Sequence, residues 1–309
     1  MKQKLVIGTR GSRLALVQAD MVKTGLLQSI EDLEVETRIY KTKGDKILDS
    51  PLSAIGDKGL FIRELEDALL SGEIDLAVHS MKDMPTELPG GLIIGAVLPR
   101  GESRDAFVSR DGRKLDEFGQ NDVIATSSLR RKAQILSLGR GISIIDIRGN
   151  VDTRLGKLDS GYCSGLVLAG AGLLRSGFEH RITELLDDSR FPPAVCQGII
   201  CLETRAGYNH TLGLLQNIND PQTLLSAGAE RAFLHFLEGG CQVPIGCRTR
   251  LENGFFIMDG AIWNLEGTQS IRKTISVKAE TAGEAEAAAE KLASEILAEG
   301  GGEILHGIR

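Results

Sequence analysis

The sequence predicts an α/β protein with two α/β domains and a small α+β domain at its C-terminal end. Three observations predict this. Short apolar runs alternate with helical patterns through the first two hundred residues, the mark of mostly parallel sheets. Two Pro-bearing crossings, Pro99–Arg104 and Phe191–Gly198, interrupt the alternation. The last ninety residues instead place a long helix before antiparallel strand candidates. A length of 309 residues accommodates two or three such domains.

Leu5-Val6-Ile7 reads as the first strand and runs into Gly8-Thr9-Arg10-Gly11-Ser12. Ser12 is suited to cap a helix, and Leu14, Val17 and Met21 follow at helical spacing. Val35–Tyr40 is a second strand, and residues 41–57, polar with Gly and Pro, read as a long loop. Lys58–Leu70 is helical, with Phe61, Leu65 and Leu69 on one face. Ile74–Val78 is a strand ending in His79-Ser80-Met81-Lys82-Asp83-Met84-Pro85. Past the first crossing the pattern restarts. Val123–Ala125 leads into Thr126-Ser127-Ser128 and a helix, Ile142–Ile147 into Arg148-Gly149-Asn150 and a helix, and Gly165–Leu168 into Ala169–Gly172 and a third. Ile199–Leu202 rejoins the first sheet. The expected domains are therefore 1–99 with 200–217, an inserted 100–199, and 218–309. In the last, Asp220-Pro221 starts a helix and Gly239-Gly240 ends it. Asn253-Gly254 is a turn signal, 255–278 reads as two or three antiparallel strands, and 281–299 is an Ala/Glu-rich helix.

Composition narrows the function. No apolar stretch reaches the ~18 residues a membrane span needs. The N-terminus lacks a small-residue cleavage site and interrupts its apolar run with Arg10 and Arg13, so a cytoplasmic chain is expected. Five Cys without a CxxC pair favour neither a disulfide framework nor a zinc site, and no metal is expected. A net charge of -6 argues against general nucleic-acid binding. That total hides an asymmetry: Thr126 to Arg175 carries eight basic and three acidic residues.

In open α/β sheets ligands bind beyond the carboxyl ends of strands. Those positions here carry Thr9, Arg10, Ser12, Ser80, Lys82, Asp83, Thr126, Ser127, Ser128, Arg148 and Gly170. Hydroxyls and helix N-termini suit anions. Arg130 and Arg131 sit in the first turn of a helix, where a cation opposes the macrodipole at a cost of up to ~1 kcal/mol. A bound anion would compensate them. Arg10, Arg130, Arg131, Arg148 and Arg154 together favour a small polyanion over nucleic acid, because the stretch has no interleaved aromatic residues. Asp83 is the leading acidic candidate, although by spacing alone a turn Asp paired with Lys82 accounts for it slightly better. Cys241, in a Gly-rich loop, is a nucleophile or a small buried hydrophobe. Cys247 shares its neighbourhood, and Cys163, Cys196 and Cys201 read as packing residues.

Seven segments now stand together: Gly8–Ser12, Lys58–Phe61, Ala77–Pro85, Arg104–Phe107, Thr126–Arg131, Arg148–Arg154 and Leu237–Gly246. In order and spacing the chain resembles the porphobilinogen deaminase (hydroxymethylbilane synthase) family over nearly its whole length. The resemblance implies two periplasmic-binding-protein-like α/β domains facing a cleft, with the third domain carrying a dipyrromethane cofactor on Cys241 through a thioether. It implies four successive condensations of porphobilinogen with loss of ammonia, then hydrolytic release of the linear tetrapyrrole hydroxymethylbilane. It assigns Lys82, Ser80, Thr126, Ser127, Ser128, Arg130, Arg131, Arg148 and Arg154 to the cofactor, with Asp83 as catalytic carboxylate. Arg10, Ser12, Gln18, Phe61, Arg148, Arg175 and Gln197 fall to substrate, and Lys58, Arg10 and Arg148 support catalysis. A monomer with no nucleic-acid or membrane partner is implied. Cys196 departs from the family's usual Gly, Arg13 from its common Pro, and Cys247 from its common hydroxyl residue.

Three other readings compete. A two-lobed binding protein of periplasmic type calls for an export signal. An effector-binding domain of a regulator calls for an attached DNA-binding segment. A Cys-dependent acyl transferase calls for a His/Asp partner near Cys241.

Overall fold

The computed structural model describes residues 3–42, 62–237 and 243–308. Lys58, Phe61, Cys241 and most of the 41–57 loop lie outside the described residues. The chain runs β1 (Gln3–Arg10), α1 (Arg13–Ser29), β2 (Leu33–Tyr40), α2 (Arg63–Leu70), β3 (Leu76–Ser80) and β4 (Leu92–Val97). It continues as β5 (Asp105–Ser109), β6 (Val123–Ala125), α3 (Leu129–Leu136), β7 (Ser143–Ile145), α4 (Val151–Asp159), β8 (Gly165–Ala169), α5 (Gly170–Arg175) and β9 (Glu184–Leu185). After these come β10 (Ile200–Arg205), α6 (Asn209–Leu215), α7 (Pro221–Phe236), β11 (Ile245–Glu252), β12 (Phe255–Trp263), β13 (Ser270–Val277), α8 (Ala282–Ile296) and α9 (Gly302–His306).

The chain divides into two compact units, Met1–Gly101 with Ile199–Leu224 and Glu102–Gly198 with Leu225–Arg309. In the first unit the sheet order is β2-β1-β3-β10-β4. β1 lies parallel to β2 and β3, whereas β10 runs antiparallel to β3 and β4. β2, β1, β3 and β4 therefore run one way and β10 alone runs against them, so the sheet is mixed yet mostly parallel, as the residue pattern predicts, with the one reversed strand unannounced by it. Strand direction depends on the edge at which the returning chain enters, and apolar periodicity does not report it. Leu5, Ile7, Val22, Leu26, Leu76, Val78, Leu202 and Leu215 form the core between this sheet and its helices. The first four residues of β3 are buried, as befits a central strand covered on both faces.

The second unit repeats the scheme with order β7-β6-β8-β5-β9. β6 is parallel to β7 and β8, and β5 is antiparallel to β8 and β9. The unit also holds the antiparallel sheet β11-β12-β13. Asn253 (φ 52°) and Gly254 (φ 78°) join β11 to β12, both in the left-handed region that a tight hairpin turn requires. β11 extends this sheet beyond the 255–278 span read from sequence. α8 opens with a capping box in which the Thr281 hydroxyl accepts from Glu284 N–H and the Glu284 carboxylate accepts from Thr281 N–H. Ala285, Ala288, Ala289 and Leu292 form its buried face. Trp263 of β12, fully buried, packs with Ala261 and with Ala133 of α3, tying the C-terminal sheet to the middle one. Among the described residues no helix is long and apolar enough to cross a membrane.

Candidate active site

In the first unit β1 and β3 are parallel, so their carboxyl ends share one edge of the sheet. That edge carries Arg10, Ser12, Ser80, Lys82 and Asp83. β3 continues into a single 3-10 turn, Met81–Asp83. Met81 and Met84 are buried on either side of the turn, so apolar anchoring presents Lys82 half-buried and Asp83 exposed. Ser80 Oγ accepts from Gln18 Nε2 at 2.9 Å, and Gln18 is itself buried on α1. Ser12 caps α1, its hydroxyl accepting from Ala15 N–H at 3.3 Å. Arg10 closes β1, half-buried. His79, on the same strand, holds a structural place: Nε2 lies 3.1 Å from Glu203 Oε2 on β10, both groups buried.

In the second unit the carboxyl ends of β6, β7 and β8 bring Thr126–Ser128, Arg148 and Gly170 to one edge. Ser128 caps α3 by accepting from Arg131 N–H. Thr126 Oγ1 accepts from Ser128 N–H at 3.3 Å. Ser127 Oγ donates to Ile147 O at 2.7 Å, which fixes the segment next to Arg148. Asn150 caps α4 through Thr153 N–H at 2.9 Å, and Arg154 Nε donates to Gly149 O at 2.8 Å. Gly149 has φ 111°, and a Cβ there would meet the Thr153 side chain at 2.6 Å, so this bend demands glycine. Arg175, at the end of α5, donates to Gly198 O at 2.7 Å, and burial pulls its guanidinium below the usual arginine range.

Arg130 and Arg131 are buried, at 4% and 7% exposure, and converge on Asp105, at 1%. Asp105 Oδ2 lies 2.9 Å from Arg130 Nη1, and Oδ1 lies 2.7 Å from Arg131 Nη2. Gln197, fully buried, donates to Asp105 Oδ1 at 2.8 Å and to Ser103 O at 2.7 Å. Arg130 Nη1 also donates to Gln134 Oε1 and Pro192 O, and Arg131 Nη1 to Val167 O. Burial alone would push the Asp105 carboxyl up, but the two guanidiniums reverse this and hold it well below the usual carboxylate range. The compensation that sequence assigns to a bound anion is thus supplied in part from within the chain. Asp105 received no role from sequence because it opens its strand instead of following one. β5 is antiparallel to β8, with Asp105 opposite Ala169, so the amino end of β5 lies at the edge formed by the carboxyl ends of its neighbours. An ionisable residue opening the otherwise apolar run Asp105-Ala-Phe-Val was the available signal.

Four cysteines, Cys163, Cys196, Cys201 and Cys247, are described, and all are buried thiols. Cys247 is fully buried in β11, which makes it a poor attachment point for a bulky group. Among the described residues no cluster of His, Cys, Asp or Glu is arranged to hold a metal ion.

Two family models match the chain. "Porphobilinogen deaminase, dipyromethane cofactor binding domain" covers residues 5–212, and "Porphobilinogen deaminase, C-terminal domain" covers residues 224–298. The porphobilinogen deaminase of Chlorobium phaeobacteroides is 45% identical over 310 residues, spanning 100% of this chain and 99% of the relative. That of Desulforudis audaxviator is 46% identical over 309 residues, with the same coverage. Among solved structures, a TRAP periplasmic solute binding protein from Desulfovibrio salexigens is similar at TM-score 0.45 and 11% identity, over 75% of this chain and 76% of that one. With both models matched in order and relatives aligned from end to end, the chain belongs to the porphobilinogen deaminase family.

Proposed function

We propose that this chain condenses four molecules of porphobilinogen head to tail, with loss of ammonia at each step, and releases hydroxymethylbilane. The observation that carries this reading is the full-length family match, made on a chain whose two sheet edges hold the donors that a polycarboxylate needs.

The dipyrromethane cofactor bears acetate and propionate groups, and the donor set fits it. Thr126, Ser127 and Ser128 offer hydroxyls, the start of α3 offers N–H groups, Arg130, Arg148 and Arg154 offer planar forks for carboxylates, and Arg131, engaged with Asp105, Val167 and Gln197, backs them from inside. Ser80 and Lys82 offer the same chemistry in the first unit. Cys241 is proposed as its thioether anchor, a role for which the buried Cys247 is poorly placed. When bound, the group supplies the first pyrrole carbon onto which the chain grows.

Asp83 is assigned the role of catalytic carboxylate. Loss of ammonia from an aminomethylpyrrole spreads positive charge onto the pyrrole nitrogen. A fixed carboxylate at that N–H stabilises the charge as it develops and orients the ring for attack. Arg10, Ser12, Gln18, Arg148, Arg175, Gln197 and Phe61 are assigned to incoming substrate, and Lys58 to support of the reaction. Gln18 and Gln197, both buried, serve that role by bracing Ser80 and Asp105. A cytoplasmic monomer completes the proposal.

Intact-mass spectrometry of the purified chain tests it. The wild type is expected to exceed its sequence mass by two pyrrole units, and Cys241→Ser to match its sequence mass. A wild-type chain at sequence mass, giving no Ehrlich colour after denaturation, would favour a non-catalytic binder.

A further inference from the structure

The buried cluster of the second unit does not balance its charge. Arg130 and Arg131 bring two positive charges and Asp105 brings one negative. Gln134, Gln197, Pro192 and Val167, which complete the hydrogen bonds, are neutral. One positive charge is left over on groups at most 7% exposed. An uncompensated buried charge is expensive, and proteins retain one where a partner is to arrive. The hydrogen bonds show where that partner fits. Among the described residues every hydrogen bond of Arg130 leaves from Nη1, so the N–H groups on Nη2 and Nε remain to be given. Arg131, by contrast, commits Nε, Nη1 and Nη2 to Asp105, Val167 and Gln197.

We propose that Asp105 is a positioning residue that neutralises Arg131 and fixes Arg130, leaving one net positive charge that accepts a single carboxylate of the bound polypyrrole. This rests on the function proposed above. The two guanidiniums then divide their work. Arg131 is the inner strut between α3 and β5, and Arg130 offers its free edge to the ligand. Without Asp105 the pair would carry two positive charges side by side, and without Arg131 the cluster would carry none in excess.

Charge bookkeeping makes a test that a purely structural role does not pass. Asp105→Asn raises the net charge to two, Arg131→Gln lowers it to zero, and the double variant restores one. Each full-length variant is purified from cells supplied with porphobilinogen, and intact mass gives the fraction carrying the two-pyrrole adduct. Thermal melting is recorded beside it. Each single variant is expected to carry at least fivefold less adduct than wild type, and the double variant to regain at least half the wild-type fraction. Wild-type loading in Asp105→Asn, or a double variant no better than Arg131→Gln, overturns the proposal. Should Asp105→Asn not fold, the comparison of the double variant with Arg131→Gln decides alone. Absence of adduct from the wild type would instead overturn the functional reading on which this one rests.

Discussion

Asp83 ends a turn whose shape is set by its neighbours rather than by itself. Met81 and Met84 bury their side chains, and Met84 N–H closes the turn on Met81 O at 3.1 Å. The exposed carboxylate is therefore dispensable to the fold, and Asp83→Asn is expected to change stability by no more than about 0.5 kcal/mol. Its loss from a developing cation is a different matter. Removing one preorganised electrostatic group costs roughly 100-fold or more in rate. Melting curves together with single-turnover rates check both halves, and a near-normal rate would remove Asp83 from the reaction. Cys196 presents the opposite case, a residue whose backbone matters more than its side chain. It sits at φ 58°, buried, with its N–H on Glu230 Oε2 at 2.6 Å. A side chain in this left-handed region costs about 1–3 kcal/mol, and a β-branched one is worst placed. Cys196→Val is expected to lose about 2 kcal/mol in urea unfolding. Cys196→Gly is expected to stay near neutral, since relief of strain offsets the lost buried contact. A Val variant as stable as wild type would show that the strain is absent.

At the scale of elements, α2 places Glu66 in an unusual position. It is 8% exposed, and its Oε1 has no hydrogen-bond partner among the described residues. Burial first, and the carboxylate of Glu203 second, push its pKa up to about 7. Asp67 adds to the rise, Arg63 opposes it, and His79 engages Glu203 Oε2. The sign follows from the two states. Below about pH 4.5, the ordinary carboxyl value, both states hold the proton and Glu66 costs nothing. Between there and pH 7 the unfolded chain ionises while the folded one does not, so stability falls as pH rises. The whole effect is at most a few kcal/mol. Glu66→Gln is expected to flatten the decline in melting temperature between pH 5 and 8, and an unchanged slope would assign the titration elsewhere. The sequence shows α2 by the spacing of Leu65 and Leu69, but not that Glu66 is buried against Glu203. The two residues are far apart in the chain, and only the entry of β10 beside β3 brings them together. The same holds for the site. Ser80, Asp83, Thr126 and Arg148 were legible because local patterns place them at strand ends. Asp105 was not, because its role depends on β5 running against β8 and on partners as distant as Gln197.

At the scale of the molecule, the second unit couples its two sheets through a seam that also holds the arginine cluster. Cys247 N–H donates to Pro193 O at 3.0 Å, and Arg272 donates to Ser189 O and Arg190 O. Arg248 pairs with Asp188 across the same line. At its centre Gly246 lies flat against Pro192, where an added Cβ would stand 2.8 Å from the Pro192 carbonyl oxygen and 3.1 Å from its Cβ. The nearest atom is backbone and cannot swing aside, so Gly246→Ala must push the segment away, at a cost of about 1–3 kcal/mol. That carbonyl is the acceptor for Arg130 Nη1 at 2.8 Å and Gln134 Nε2 at 2.9 Å. A methyl group placed in the C-terminal sheet is thus expected to disturb a guanidinium in the middle one. Gly246→Ala should lower the melting temperature by several degrees and, measured well below that temperature, should also reduce the fraction of chain carrying the two-pyrrole adduct. Arg272→Ala, which loosens the seam without touching Pro192, should lower stability while leaving the adduct at its wild-type level. Full loading in Gly246→Ala would mean that the seam only holds the two sheets together. Reduced loading would mean that the C-terminal sheet sets the position of Arg130, and through it the carboxylate grip of the site.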